Sequence, residues 1–235
     1  MHNLIRRNYE FWNHERSLKA LLIYITIALF VWIPLADYSD EWWSFLISEL
    51  FFNMIILAGV FSVLTRWRKQ LIFISIATLT SLLRIVSFFT HLQWAQMTGY
   101  FFAILFLIHL ANLVLQHIFK EGPVNFYRIQ GSIIVFMVIG IVYAFVYTLL
   151  ESFHPGSFTI TEPSQSYKNL YAQFLYFSFA TMTTLGFGDM IPTQSIGKSL
   201  VIFQGMIGLL YPVIMIARLV SLELSHSATN KESNK

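Results

Sequence analysis

Long apolar stretches alternate with short polar ones along this chain. Apolar runs cover residues 17–36, 45–64, 71–89, 98–118, 128–150 and 196–224. Each has about the twenty residues that a helix needs to cross a bilayer. The pattern predicts an all-α membrane protein with six transmembrane helices. The joints between runs are short: acidic at Asp37, Asp40 and Glu41, basic at Arg66, Arg68 and Lys69, then a connector over 119–127 and a Pro- and Ser-containing loop over 151–167.

One stretch breaks the pattern. Within 168–192 the apolar part covers only 170–180, too short to span. It predicts a helix that enters the membrane and turns back, followed by non-helical backbone. Such backbone is tolerated at membrane depth only where protein buries it or it lines a wet cavity. The pattern therefore points to a pore before any motif is considered.

Composition agrees. The 235 residues are 56% hydrophobic and 11% charged, against roughly a quarter charged in a soluble domain. There is no cysteine, so disulfides and thiolate metal sites are excluded. The basic N-terminus lacks a small-residue cleavage site and does not read as a removable signal peptide. Lys and Arg gather on one side of the membrane: Arg6, Arg7, Arg16 and Lys19, then Arg66, Arg68 and Lys69, then Lys120 and Arg128, then Lys231 and Lys235. The positive-inside rule then puts both termini in the cytoplasm, as an even number of spans requires. It also accounts for the net charge of +3 without a nucleic-acid partner. The expected location is the plasma membrane, the inner membrane if the host is bacterial. Trp12, Trp32, Trp42, Trp43, Trp67 and Trp94 fall mostly near expected interfaces, as anchoring belts do.

The run Thr181-Met182-Thr183-Thr184-Leu185-Gly186-Phe187-Gly188-Asp189 resembles the potassium-channel signature Thr-x-Thr-Thr-x-Gly-Tyr/Phe-Gly-Asp. A dehydrated potassium ion exchanges its water shell for stacked rings of main-chain carbonyls from four such strands. Successive carbonyls face one axis only if the backbone alternates between ordinary and positive φ. Glycine reaches positive φ without penalty, and it stands here at Gly186 and Gly188. The resemblance makes Thr184, Leu185, Gly186, Phe187 and Gly188 the filter, with K+ at Thr184 to Phe187 and the threonine hydroxyl closing the inner end. Leu185 and Phe187 should point away from the axis and pack on the re-entrant helix. Thr181, Thr183, Tyr176 and Asp189 are its supports. In related channels an aromatic at the offset of Tyr176 braces the signature Asp, so the resemblance implies a Tyr176–Asp189 hydrogen bond; plain packing with Phe174, Phe177 and Phe179 is the alternative.

The last run resembles the inner, pore-lining helix of these channels. Gly208 lies at the offset where many carry a hinge, with Gly205 before it and Pro212 after it. Glycine relaxes a helix and proline kinks it. Close packing is the competing reason for the glycines. Ile214, Ala217, Val220 and Ser221 are candidates for a cytoplasmic constriction.

Six spans with a pore element between the last two resemble the voltage-gated-like, two-helix-pore superfamily. The motifs are confined to about 126–224. The implied layout is a cytoplasmic N-terminus (1–16), a four-helix bundle (17–118), a linker (119–127), a pore domain (128–224) and a tail (225–235), assembled as a homotetramer in lipid. A voltage sensor needs three or four Arg or Lys per subunit on its fourth helix. The run 98–118 has none. His109, Asn112 and Gln116 stand on one face instead. The expectation is weak voltage dependence. Two intramembrane charges, Glu49 and Arg84, are expected to pair, with Asn53 beside them; snorkelling of Glu49 to the outer interface is the alternative.

No enzyme motif is present: no Gly-x-Ser-x-Gly, no His-Glu-x-x-His and no phosphate-cradling loop. No cofactor is expected beyond K+ as the permeant ion. A non-selective or sodium-conducting channel is the rival within the class. A secondary transporter is the rival outside it, but it would show paired repeats and a second broken helix. The stimulus that opens the gate is not legible in the sequence.

Overall fold

The computed structural model describes residues 18–31, 42–43, 45–46, 49–50, 52–55, 67–90, 92–119, 125–160 and 170–233. The N-terminal segment 1–16, the acidic joint at Asp37, the centre of the connector and Lys168 lie outside them. The described residues are mostly helical, with one small ribbon and the non-helical segments 154–157 and 183–189. In chain order they form α1 (Leu18–Val31), short helical pieces within 42–55, α2 (Trp67–Thr90), α3 (Gln93–Ile118), the outer helix α4 (Phe126–Phe153), β1 (Phe158–Ile160), the re-entrant helix α5 (Leu170–Met182), β2 (Met190–Pro192) and the inner helix α6 (Ser195–Ser233).

Among the described residues, three helices are long and apolar enough to cross a membrane: Gln93–Gln116, Phe126–Phe153 and Ser195–Leu224. Leu18–Val31 and Ile74–Thr90 are shorter apolar helices. The expected count of six spans therefore has three long members among the described residues.

Local chemistry sets the ends of the outer helix. It starts after Asn125, which is extended at φ −99° and ψ 159°. It stops where His154 precedes Pro155: a proline pushes the residue before it out of the helical region, and His154 sits at φ −133° and ψ 81°. Gly156 then turns the chain at φ +85°.

α3 and the outer helix pack side by side, as a short connector between helices favours. Phe106, Leu107, Leu110 and Val114 meet Ile134, Val138 and Phe145 in one core. That core continues into α1 through Leu21 and Ile25 and into the re-entrant helix through Ala172 and Leu175. α1 and α3 thus rest on α4 and α5 of their own chain. A second, aromatic cluster of Tyr143, Tyr147, Phe158, Phe174, Phe177 and Met190 fills the space between outer helix, re-entrant helix and ribbon.

The inner helix is different. Of its most apolar stretch 17% is buried, against 50% for the outer helix. Ile202, Phe203, Met206, Leu209, Leu210 and Val213 are all more than half exposed on the single chain.

Candidate ion pathway

The re-entrant helix ends at Met182, and its last carbonyls hold the strand that follows. Thr183 donates its N–H to Phe179 O at 2.9 Å, and Thr184 donates to Thr181 O at 3.1 Å. The N–H groups of Leu185 and Gly186 both donate to Ala180 O, at 2.9 and 3.3 Å. The bonds from Thr184 and Leu185 are the pair that define a Schellman helix end, whose turning residue is left-handed. That residue is Thr184, at φ 62°. Glycine usually occupies this place. A β-branched residue there is a genuine outlier, and such strain persists where function uses the side chain.

Positive φ then recurs at Gly186 (53°) and Gly188 (79°), and among non-glycine described residues only Thr184 shares it. Leu185 and Phe187 between them have ordinary φ. The backbone over 184–188 therefore alternates in hand at every residue. Alternation of this kind brings successive carbonyls to one side of the strand. All five residues are exposed on the single chain, Leu185 by 61% and Phe187 by 67%. Phe187 lies parallel to Tyr176 of the re-entrant helix, with ring centroids 6.5 Å apart. Leu185 remains bare on its own chain. The carboxylate of Asp189 accepts the N–H of Met190 at 3.1 Å.

A ribbon anchors the exit of this strand. β1 and β2 pair antiparallel, with Phe158 opposite Pro192 and Ile160 opposite Met190. Glu151, at the end of the outer helix, accepts the N–H groups of Gly156 (2.7 Å) and Phe158 (3.1 Å). Thr193 donates its N–H to Ser157 O and its hydroxyl to Gly156 O. The residues after Asp189 are thus tied to the top of the outer helix.

The inner helix passes behind the strand. A Cβ on Gly208 would stand 2.2 Å from Met182 O, so only glycine allows this approach. A Cβ on Gly205 would meet nothing within 4 Å. Pro212 lies inside the helix, where its missing N–H leaves the carbonyl one turn earlier, that of Gly208, without its helical partner. Ile214 and Val220, below this point, are exposed, as are Ala217 and Ser221.

Three polar side chains that the sequence reading left aside meet at the back of the re-entrant helix. Tyr147 donates its hydroxyl to Gln204 Oε1 at 2.5 Å. Gln204 Nε2 donates to Ser178 O at 3.0 Å and to Ser178 Oγ at 2.7 Å. Ser178 Oγ donates to Gly140 O at 2.6 Å. A lone Gln inside an apolar membrane helix was the available signal, because polar groups there need partners.

In the N-terminal helices Arg84 Nε lies 2.8 Å from Glu49 Oε2, an ion pair that is not aligned as a hydrogen bond at that oxygen. Asn53 Nδ2 donates to Glu49 O at 2.8 Å, and Ser81 Oγ donates to Asn53 Oδ1 at 2.8 Å. The Arg84 guanidinium also lies 4.9 Å from the centre of the Phe52 ring. His109, Asn112 and Gln116 share an exposed face of α3, where Gln116 Nε2 donates to Asn112 Oδ1 at 3.3 Å.

A family model described as ion channel matches residues 132–223, which take in most of the outer helix, the re-entrant helix, the strand after it and the membrane part of the inner helix. Neither a curated protein nor a solved structure matches the chain. The match takes in less than half of the chain, and together with the apolar helices it supports an ion channel integral to the membrane.

Proposed function

We propose that four copies of this chain form a potassium-selective channel whose filter is Thr184-Leu185-Gly186-Phe187-Gly188. The observation that carries the reading is the alternating backbone of that strand, with positive φ at Thr184, Gly186 and Gly188, hung from the last turn of a buried re-entrant helix. One chain supplies one strand, and a carbonyl cage for a bare cation needs a closed ring of four. The bare apolar face of the inner helix and the exposed side chains of Leu185 and Phe187 fit neighbours around that axis. The re-entrant helix runs toward the strand, so its partial negative end faces the ion path.

In this reading K+ is the permeant ion, carried passively, and no cofactor takes part. Six spans put both termini in the cytoplasm of a plasma membrane, and the first four carry no strong voltage sensor. Pro212 bends the inner helix below the filter, and Ile214, Ala217, Val220 and Ser221 form the constriction. A non-selective cation channel would keep this layout but not hold a fixed carbonyl cage.

Diffraction from thallium-soaked crystals of the assembled protein tests the reading. Difference peaks on a fourfold axis, level with Thr184 to Phe187, are expected. Absence of that axis, or thallium only at its surface, would refute it.

A further inference from the structure

Tyr147, Ser178 and Gln204 lie fully buried among apolar side chains, one on each of the three helices of the pore part. A primary amide in such a place is stable only if both its ends are satisfied. Here the proton arrangement is unique. Ser178 spends its only proton on Gly140 O, so its oxygen must accept from Gln204. The second amide proton goes to Ser178 O. The amide oxygen is left to face the Tyr147 hydroxyl. A rotated amide would set its oxygen against a carbonyl and a hydroxyl oxygen that has no proton to give.

What Gln204 grips matters for the filter. Ser178 O belongs to the last turn of the re-entrant helix. The next carbonyls of that turn, those of Phe179, Ala180 and Thr181, hold the N–H groups of Thr183, Leu185, Gly186 and Thr184. One turn beyond Gln204, Gly208 abuts the carbonyl of Met182, one turn beyond Ser178. The inner helix therefore docks on the re-entrant helix through two matched rungs, Gln204 on Ser178 and Gly208 on Met182. Between apolar helices in lipid there is no hydrophobic force to set rotation or depth, and polar contacts and close packing set them instead.

We infer that Gln204 is a positioning residue for the ion filter: through Ser178, and oriented by Tyr147, it holds the helix turn from which 184–188 hang. This rests on the potassium-filter reading above. Selectivity depends on where carbonyl dipoles stand, so a shift of that turn changes discrimination between ions and not only the stability of the fold.

The test is the K+ over Na+ permeability ratio of the full chain in planar bilayers, for the wild type, Gln204→Leu and Tyr147→Phe. The ratio does not depend on how many channels assemble, so mere loss of protein does not move it. Each variant is checked as an intact assembly by size and melting temperature. Gln204→Leu is expected to lower the ratio about fivefold or more, the factor that one lost hydrogen bond corresponds to, and Tyr147→Phe by less. A selective wild type with unchanged ratios in both variants overturns the inference and leaves the filter reading standing. A wild type that does not discriminate overturns the filter reading, and the inference with it. If Gln204→Leu fails to assemble, Tyr147→Phe decides: a lowered ratio supports the inference and an unchanged one overturns it.

Discussion

Gly208 of the inner helix rests directly on the main-chain carbonyl of Met182, the last residue of the re-entrant helix. A Cβ there would come within 2.2 Å of a backbone oxygen, a contact that side-chain rotation cannot relieve. The glycine therefore has a packing reason beside any hinge. Gly208→Ala is expected to lower the stability of the protein by about 1–3 kcal/mol, the usual cost of overpacking. Gly205→Ala, which enters open space, is expected to change it little. Thermal melts of the two variants check this contrast, and equal effects would count against the docking contact.

Thr184 pays for its hydroxyl with backbone strain. A left-handed residue with a Cβ costs about 1–2 kcal/mol relative to glycine. With K+ held at Thr184 as proposed, Thr184→Gly is expected to keep or raise intrinsic stability while reducing stabilisation by added K+, since a bound ion stabilises only the state that binds it. Thr184→Ser keeps the hydroxyl and should retain that ion effect. Melting temperature as a function of K+ concentration separates the variants.

Glu49 and Arg84 are mostly buried in the N-terminal helices and 2.8 Å apart. Removing one partner leaves the other uncompensated. Arg84→Met is expected to destabilise by about 3–5 kcal/mol, and the double variant with Glu49→Gln by clearly less. A double-mutant cycle on unfolding midpoints measures the coupling; strictly additive costs would mean the pair is not formed.

The fourth expectation concerns voltage. α3 carries no Lys or Arg along Gln93–Ile118. Steep gating needs three or four charges per subunit. Conductance–voltage curves are expected to be shallow, with an apparent charge below about one per subunit. A steep sigmoid would show that other residues move through the field.

The parts legible in the sequence are those set by local chemistry. The break after a short apolar helix marked the strand at Thr184 to Gly188, because glycines at alternate positions permit the backbone found there. The run 170–180 marked a short helix, which extends over Leu170–Met182. Intramembrane charge has so few solutions that Glu49 and Arg84 were natural partners. What stayed hidden depends on how helices rotate against each other. The Tyr147–Gln204–Ser178 chain needs three helix faces in register, and no single segment carries that information. The contact of Gly208 with Met182 is of the same kind. The ribbon of Phe158–Ile160 with Met190–Pro192 is too short to leave a strand pattern. Left-handed Thr184 was hidden for another reason: the residue type argues against the conformation it adopts.

The central claim is that the strand 184–188 discriminates potassium from sodium. Its most direct test is the reversal potential of single channels of the purified wild-type chain, with K+ on one side of a bilayer and Na+ on the other. A reversal potential far to the potassium side, which follows the K+ gradient as Na+ is exchanged for an impermeant cation, is the result expected. A reversal potential near zero in the bi-ionic condition would contradict it.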